Sequence, residues 1–195
     1  NFTTIPTEQV EQEAGLLFWY NPFITLTPQA TSTATLRCPI TQDIFLVNGQ
    51  SHMHSRGSHY TADLYDADGN FVQQLFESSD WETPIPADYE PALQIPAGYS
   101  IEYTCEYTNS QDRTVNQGVR TTDEMCMFIG QYYPRDVLMD DCGPATGFVS
   151  LGEPSYEGET NGAESLECWF GSQGVDGNFT AAQQDCMTDS CAAPQ

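Results

Sequence analysis

The chain has 195 residues, with five arginines, no lysine and 28 acidic residues, which give a formal net charge of −23. This charge repels phosphate backbones and anionic lipid surfaces, so nucleic acids and membranes are excluded as ordinary electrostatic partners. Aromatic residues make up 12% of the chain, and turn signals recur between apolar segments. The composition therefore predicts a folded protein rather than a disordered acidic segment.

Short segments rich in β-branched and aromatic residues follow one another along the chain, without sustained helical periodicity between them. In chain order, the predicted strands lie at 33–40, at 43–54 with a bulge near Asn48-Gly49, in a hairpin at 60–78 joined at Asp68-Gly69, at 91–109 as two strands around Pro96-Ala97-Gly98, at 125–133 and at 146–152. About eight short strands predict an all-β fold, an antiparallel jelly-roll-like β-sandwich, rather than a parallel α/β fold.

The last part of the chain differs in composition from the rest. We expect residues 1–152 to form the β-sandwich domain. Residues 153–195 are rich in Gly, Ser, Glu and Gln and contain Cys168, Cys186 and Cys191. They are expected to form a disulfide-held C-terminal extension packed on that domain.

The cysteine pattern bears on the compartment of the protein. The chain has seven cysteines, so at least one is free or pairs with something outside the chain. None forms a CxxC pair, which argues against a zinc ribbon or a thioredoxin-like site. Scattered cysteines in an acidic chain are typical of an oxidising compartment, so we expect a secreted protein, extracellular or periplasmic.

All three histidines lie within the stretch QSHMHSRGSHY at 50–60. On a β-strand, residues i and i+2 point to the same side and lie about 6.5–7 Å apart along the chain. The imidazoles of His52 and His54 can therefore bind the same metal ion. The alternative is that they are two polar side chains that share a solvent-exposed sheet face by chance. Two imidazoles make an incomplete site, so a third ligand must come from elsewhere.

Candidates for the third ligand are His59, one of the many carboxylates, or a methionine. His59 follows His54 by five positions, which places it on the other face of a strand unless Gly57 forms a bulge. Met125, within TTDEMCMFIGQYYP at 121–134, opens an apolar strand. Two imidazoles and a thioether suit Cu(I) better than zinc, calcium or magnesium. The alternative for Met125 is an ordinary core methionine.

The motif HMHSRG, followed some seventy residues later by TDEMC and YYP, resembles the catalytic copper domain of the ascorbate-dependent type II copper monooxygenases. This family includes the peptidylglycine- and dopamine-hydroxylating enzymes and their bacterial relatives. The likeness covers about residues 20–150, and the family fold is an antiparallel jelly-roll-like sandwich. By position, the resemblance implies that His52, His54 and Met125 are the catalytic residues and the ligands of one copper ion, with ascorbate or another small reductant as electron donor.

The resemblance also implies two disulfides, Cys105–Cys126 and Cys38–Cys142. The first would hold the Met125 strand against its neighbour, while the pairing of the three later cysteines stays open. Arg56, inside the histidine motif, is expected either to brace the site through a carboxylate such as Asp123 or Glu124, or to form an ordinary surface ion pair worth under about 1 kcal/mol.

Two departures from the family bear on function. Peptide-amidating members hold a substrate carboxylate with Arg, Asn and Tyr at the positions of Gln50, Met127 and Ile129, so a carboxylate-terminated peptide is not the expected substrate. The two-domain members carry a second copper on three histidines, whereas one histidine remains here. The electron-delivering partner is then either a missing N-terminal copper domain or a separate donor, unless a small reductant acts directly.

Three functions follow from these observations. The first is a copper- and reductant-dependent monooxygenase that hydroxylates a C–H bond of an unknown small-molecule or peptide substrate. The second is a non-catalytic copper-binding or electron-handling module that lacks the second copper site. The third is a jelly-roll carbohydrate- or protein-binding module whose histidine pair arose by chance.

Overall fold

The computed structural model describes residues 6–21, 24–137, 139–140 and 142, together with a strand at 156–157. A 3-10 turn at Thr7–Gln9 precedes the strands. The strands are β1 (Gly15–Tyr20), β2 (Thr25–Leu26), β3 (Ala30–Pro39), β4 (Ile44–Met53), β5 (Gly57–Tyr65), β6 (Phe71–Ser78), β7 (Ala87–Ile95), β8 (Ser100–Asn109), β9 (Val115–Asn116), β10 (Cys126–Tyr133) and β11 (Tyr156–Glu157). These ranges contain no α-helix, so the predicted all-β class is confirmed.

The strands form two main antiparallel sheets. One has the order β1-β10-β4-β7, and the other has the order β11-β3-β8-β5-β6. Strands β2 and β9 pair separately as a small ribbon. Buried side chains of both main sheets form one hydrophobic core. This is the predicted antiparallel β-sandwich, whose eight strands of six or more residues match the expected number within the described part.

Most sequence-predicted strands coincide with observed ones. The hairpin of β5 and β6 closes on Gly69, whose φ of +81° favours glycine. The predicted irregularity near Asn48 is present as a register shift between β4 and β7. The predicted strand at 146–152 lies outside the described residues, as does the predicted extension at 153–195 apart from β11, which pairs with β3.

Strand β1 is a finding that the sequence reading missed. Its residues, GLLFWY, alternate between buried and exposed positions, but most of the exposed positions are apolar as well. The segment therefore lacks the apolar–polar alternation by which a half-buried strand is recognised. It pairs with β10 along its whole length, from Gly15 opposite Tyr132 to Tyr20 opposite Met127.

Large aromatic rings fill the core between the two sheets. Trp19 packs on Phe128 at 6.0 Å between ring centroids, and Phe128 packs on Tyr103 at 6.4 Å. The Trp19 indole donates a hydrogen bond of 2.7 Å to the carbonyl of Met139, so its one polar atom is satisfied where it is buried. This packing holds β1 and β10 of the first sheet against β8 of the second.

Two disulfides connect the sandwich, and they are the pairs that the resemblance implies. Cys38 of β3 is bonded to Cys142, and Cys105 of β8 is bonded to Cys126, the first residue of β10. The second bridge ties the two sheets together at the beginning of β10. Both bridges fit an oxidising compartment. Within the described ranges, no helix has the length and apolar character that a membrane crossing requires.

Removal of the Cys38–Cys142 bridge should destabilise the protein strongly. The two cysteines are 104 residues apart, for which loop-closure entropy gives a stabilisation of about 4–5 kcal/mol. We expect the Cys38→Ala/Cys142→Ala double variant to lose about 4 kcal/mol of unfolding free energy in a urea titration. A loss below about 1 kcal/mol would show that this bridge does not restrict the unfolded chain as expected.

Candidate metal centre

The outer face of the first sheet brings the two motifs together. His52 of β4 lies directly opposite Met127 of β10, and Cys126 lies opposite Met53. Continuing this register by one residue places Met125 opposite His54, where the paired strands end. Residues i and i+2 of a strand point to the same face, and so do residues that lie opposite each other on paired strands. His52, His54, Met125 and Met127 therefore lie on one surface.

The histidine rings lie against each other, and His52 shares a cavity with Met125. The ring centroids of His52 and His54 are 5.5 Å apart, with the planes at 88°. An open cavity of about 1000 Å³ borders this face. It is lined by Phe18, Tyr20, Asn21, His52, Gln117, Gly118, Val119, Arg120, Asp123, Met125, Cys126, Met127 and Ile129. All three sequence-predicted ligands are half-buried at this place.

A hydrogen bond fixes the His54 ring. Its Nδ1 lies 2.9 Å from the carbonyl oxygen of Asp123. A carbonyl oxygen only accepts, so Nδ1 carries a proton, and Nε2 is the ring nitrogen left for a metal ion. A metal-binding histidine is commonly oriented in this way, by donating its other ring N–H to a carbonyl or a carboxylate. The His54 ring is therefore oriented with Nε2 available to bind a metal ion.

The environment of His52 also favours the neutral ring. Burial lowers the pKa of His52 below its ordinary value of 6.5, and the nearby His54 lowers it further. Burial acts by disfavouring the charged imidazolium, and a second positive charge beside it acts in the same direction. Because a metal binds the unprotonated nitrogen, both shifts favour the form of His52 that can act as a ligand.

A buried carboxylate joins the two motifs. Glu124 is 0% exposed, and its oxygens accept hydrogen bonds from the backbone N–H groups of His54 at 3.1 Å and Arg56 at 2.9 Å. The Arg56 guanidinium, whose side chain is 8% exposed, donates a further bond at 3.2 Å. Arg56 thus braces the site, and the expectation of an ordinary surface ion pair is wrong. Because Glu124 directly precedes Met125, its carboxylate links the backbone around His54 to the start of the Met125 strand.

Met125 is also held from the other side. The Tyr107 hydroxyl donates a hydrogen bond of 2.9 Å to the Met125 carbonyl, and the next residue, Cys126, is bonded to Cys105. Glu124 before it and Cys126 after it are both fully buried. The backbone of Met125 is therefore restrained from three directions, while its side chain borders the cavity.

His59 does not join the other two histidines. It lies on β5 of the second sheet, where its Nε2 is 2.9 Å from a Glu77 oxygen and its Nδ1 is 3.6 Å from a Glu106 oxygen. In the part of the chain that the structure describes, no group of three or more His, Cys, Asp or Glu side chains is placed to hold a metal ion. Of the third ligands considered from sequence, His59 lies away from His52, whereas Met125 lines the same cavity as His52.

The cavity includes residues that the sequence reading did not select. Phe18, Tyr20 and Asn21 come from β1 and the residue after it, and Gln117 to Arg120 come from the segment before β10. For β1, the run of apolar and aromatic residues could have indicated a strand. The segment at 117–120 has no such signal, because its position follows from a hydrogen bond between the Gly118 N–H and the Glu124 carbonyl.

Residues 14–147 match a family model described as copper type II ascorbate-dependent monooxygenase, C-terminal domain. The chain belongs to this family. The match begins one residue before β1, which makes that strand part of the family domain. No curated protein matches the sequence. Membership implies dependence on copper and ascorbate.

Replacement of Glu124 by glutamine should destabilise the protein. The substitution leaves a buried guanidinium without its counter-charge, for which we expect a loss of about 3 kcal/mol in unfolding free energy. Urea titration measures it, with Glu82→Gln, an exposed site, as the matched control that stays within about 0.5 kcal/mol of the unmutated chain. Equal stability of the two variants would contradict the bracing role of Glu124.

His59 should give a pH-dependent contribution to stability. Its hydrogen bond to Glu77 is the main cause that raises its pKa above 6.5. A raised pKa in the folded state means that the contribution is fully present below about pH 6.5 and is lost as the pH rises through the higher value. The Tm difference between the unmutated chain and His59→Gln should shrink from about pH 5.5 to about pH 9. A difference that grows with pH would contradict this assignment.

Proposed function

We propose that this chain binds one copper ion through His52, His54 and Met125 and acts as a monooxygenase that hydroxylates a substrate C–H bond, with ascorbate or another small reductant as electron donor. The observation that carries the proposal is the convergence of the HMH and EMC motifs on one outward sheet face, beside an open cavity, in a chain of this family.

The donor set fits copper. Two neutral imidazoles and a thioether are the combination that favours Cu(I) and still accommodates Cu(II). When bound, the copper ion supplies one-electron redox chemistry and the activation of O₂. The protein's own residues hold the ligands: the Asp123 carbonyl orients His54, and the buried Glu124 keeps His54 and Met125 at adjacent strand ends.

The proposed overall reaction balances with an external reductant. A substrate R–H, O₂, two electrons and two protons give R–OH and water, so the C–H bond and the O–O bond break while C–O and O–H bonds form. Ascorbate supplies both electrons and becomes dehydroascorbate. In this proposal the substrate binds in the cavity that His52 and Met125 line.

The source of the electrons lies outside this chain. With His52 and His54 assigned to one copper ion, a single histidine remains in the sequence, and His59 is engaged with two glutamates. A three-histidine copper site for electron delivery therefore cannot be built here. We propose that ascorbate or another small reductant, a separate donor protein, or a copper domain outside this sequence reduces the site, in a secreted or periplasmic setting.

Substitution of Met125 and of Met127, one at a time, should show which of the two methionines binds copper. In Cu(I)-loaded protein, X-ray absorption should detect one sulfur scatterer, and Met125→Leu should remove it. Met127→Leu, two residues away on the same face, is the matched control and should keep the sulfur signal. His52→Ala should weaken copper retention at least about tenfold, since one of three ligands is lost.

The outcome that contradicts this assignment is a sulfur signal that survives in Met125→Leu.

The activity is tested by oxygen uptake of the copper-loaded chain with ascorbate and candidate substrates, with hydroxylated product identified by mass spectrometry. Product above that formed by free copper supports the monooxygenase. Tight copper binding without product across a broad panel would favour the electron-handling alternative.

A further inference from the structure

The outer face of the first sheet is apolar beside the proposed ligands. Met127 lies opposite His52, Ile129 lies opposite Gln50, and Phe18 of β1 lies opposite Ile129. Because opposite residues share a face, Phe18, Met127 and Ile129 form one continuous surface, here called the apolar wall, and all three line the cavity. An outward sheet face ordinarily carries polar side chains, so this surface is unusual for a strand face that meets water.

The cavity leaves two large hydrophobic side chains accessible. Phe18 of the wall is 50% exposed, whereas Met127 is 4% exposed. Val119, which lines the same cavity from the segment before β10, is 84% exposed. Exposed apolar groups that gather in one concave place, rather than singly over the surface, mark a binding site. Their accessible area is what an apolar ligand would cover.

The charged residues of the cavity lie on the segment before β10, not on the strands that carry the wall. The lining contains one basic and one acidic side chain, Arg120 and Asp123, and the Asp123 carboxylate accepts the Arg120 backbone N–H at 3.1 Å. Elsewhere the chain is strongly acidic, with a net charge of −23. A charged group packed on Phe18, Met127 and Ile129 would lose hydration without gaining a partner from these three side chains, which disfavours it.

We propose that the substrate is an uncharged molecule that presents its reacting C–H bond in an aliphatic or aromatic group, packed on the apolar wall. This inference rests on the proposed function, because Met127 of the wall lies opposite His52, a proposed copper ligand. Phe18 and Ile129 determine the specificity, since they are the wall residues that lie beyond the pair formed by His52 and Met127. The overall change remains that of hydroxylation, R–H to R–OH, with the reductant named above.

The test compares three probes of equal size in the metal-free full chain, labelled with [¹³C-methyl]methionine: benzyl alcohol, benzoate and benzylamine. Titration is followed at the Met127 methyl signal, assigned by its loss in Met127→Leu. Benzyl alcohol should bind at least roughly tenfold more tightly than either ion, because the wall offers no partner for a charge. Phe18→Ser should weaken its binding by roughly tenfold.

Phe71→Ser is the matched control, since Phe71 is 58% exposed but lies on β6 of the other sheet. It should bind benzyl alcohol like the unmutated chain. Benzoate or benzylamine binding as tightly as benzyl alcohol, or equal effects of the two serine substitutions, would overturn the proposal. A chain that fails to bind copper would refute the proposed function. It would not affect the preference for benzyl alcohol over the two ions, because this titration contains no copper.

Discussion

The buried carboxylate of Glu124 is the contact on which the geometry of the site depends. A carboxylate at 0% exposure costs several kcal/mol in lost hydration unless hydrogen bonds and a counter-charge compensate it. Here two backbone N–H groups and the Arg56 guanidinium provide that compensation. Both N–H groups belong to the turn that follows β4, so the carboxylate can be satisfied only when that turn lies beside the start of β10.

This constraint has a direct consequence for the chemistry. The antiparallel ladder alone brings His52 opposite Met127, but His54 and Met125 lie at the edge of the paired region, where strand ends can separate. The Glu124 contacts join these two ends. The Cys105–Cys126 bridge fixes the Met125 end to β8 of the other sheet. The proposed ligands therefore belong to strand ends that are held rigidly, and such rigidity is what a metal site with a fixed donor set requires.

Much of the fold could be predicted from sequence because its signals are local. Alternating apolar residues identified β3, β5 and β6, a continuous apolar run identified β10, and Asp68-Gly69 identified the hairpin turn. The two-residue period of a strand was enough to place His52 and His54 on one face. Strand β1 was missed because its outer face is as apolar as its inner face, which is the same property that makes Phe18 part of the apolar wall.

The remaining features depend on contacts between distant residues. Met125 lies some seventy positions from His54, and only a family resemblance connected the two. Glu124 is one of 28 acidic residues, and nothing in its neighbourhood indicates that it is buried while Glu82 and Glu106 are exposed. Arg56 was expected to be either a brace or a surface pair, and the choice depended on that burial. Sequence periodicity describes a face, whereas register and burial follow from the packing of whole sheets.

A crystal structure of the Cu(I)-loaded chain tests the central claim most directly. We predict a single copper ion at the adjoining ends of β4 and β10, in contact with both imidazoles and the Met125 thioether. The Glu124 carboxylate should still be bonded to the turn after β4. A copper ion bound elsewhere, or a Met125 side chain directed into the hydrophobic core away from the two rings, would contradict it.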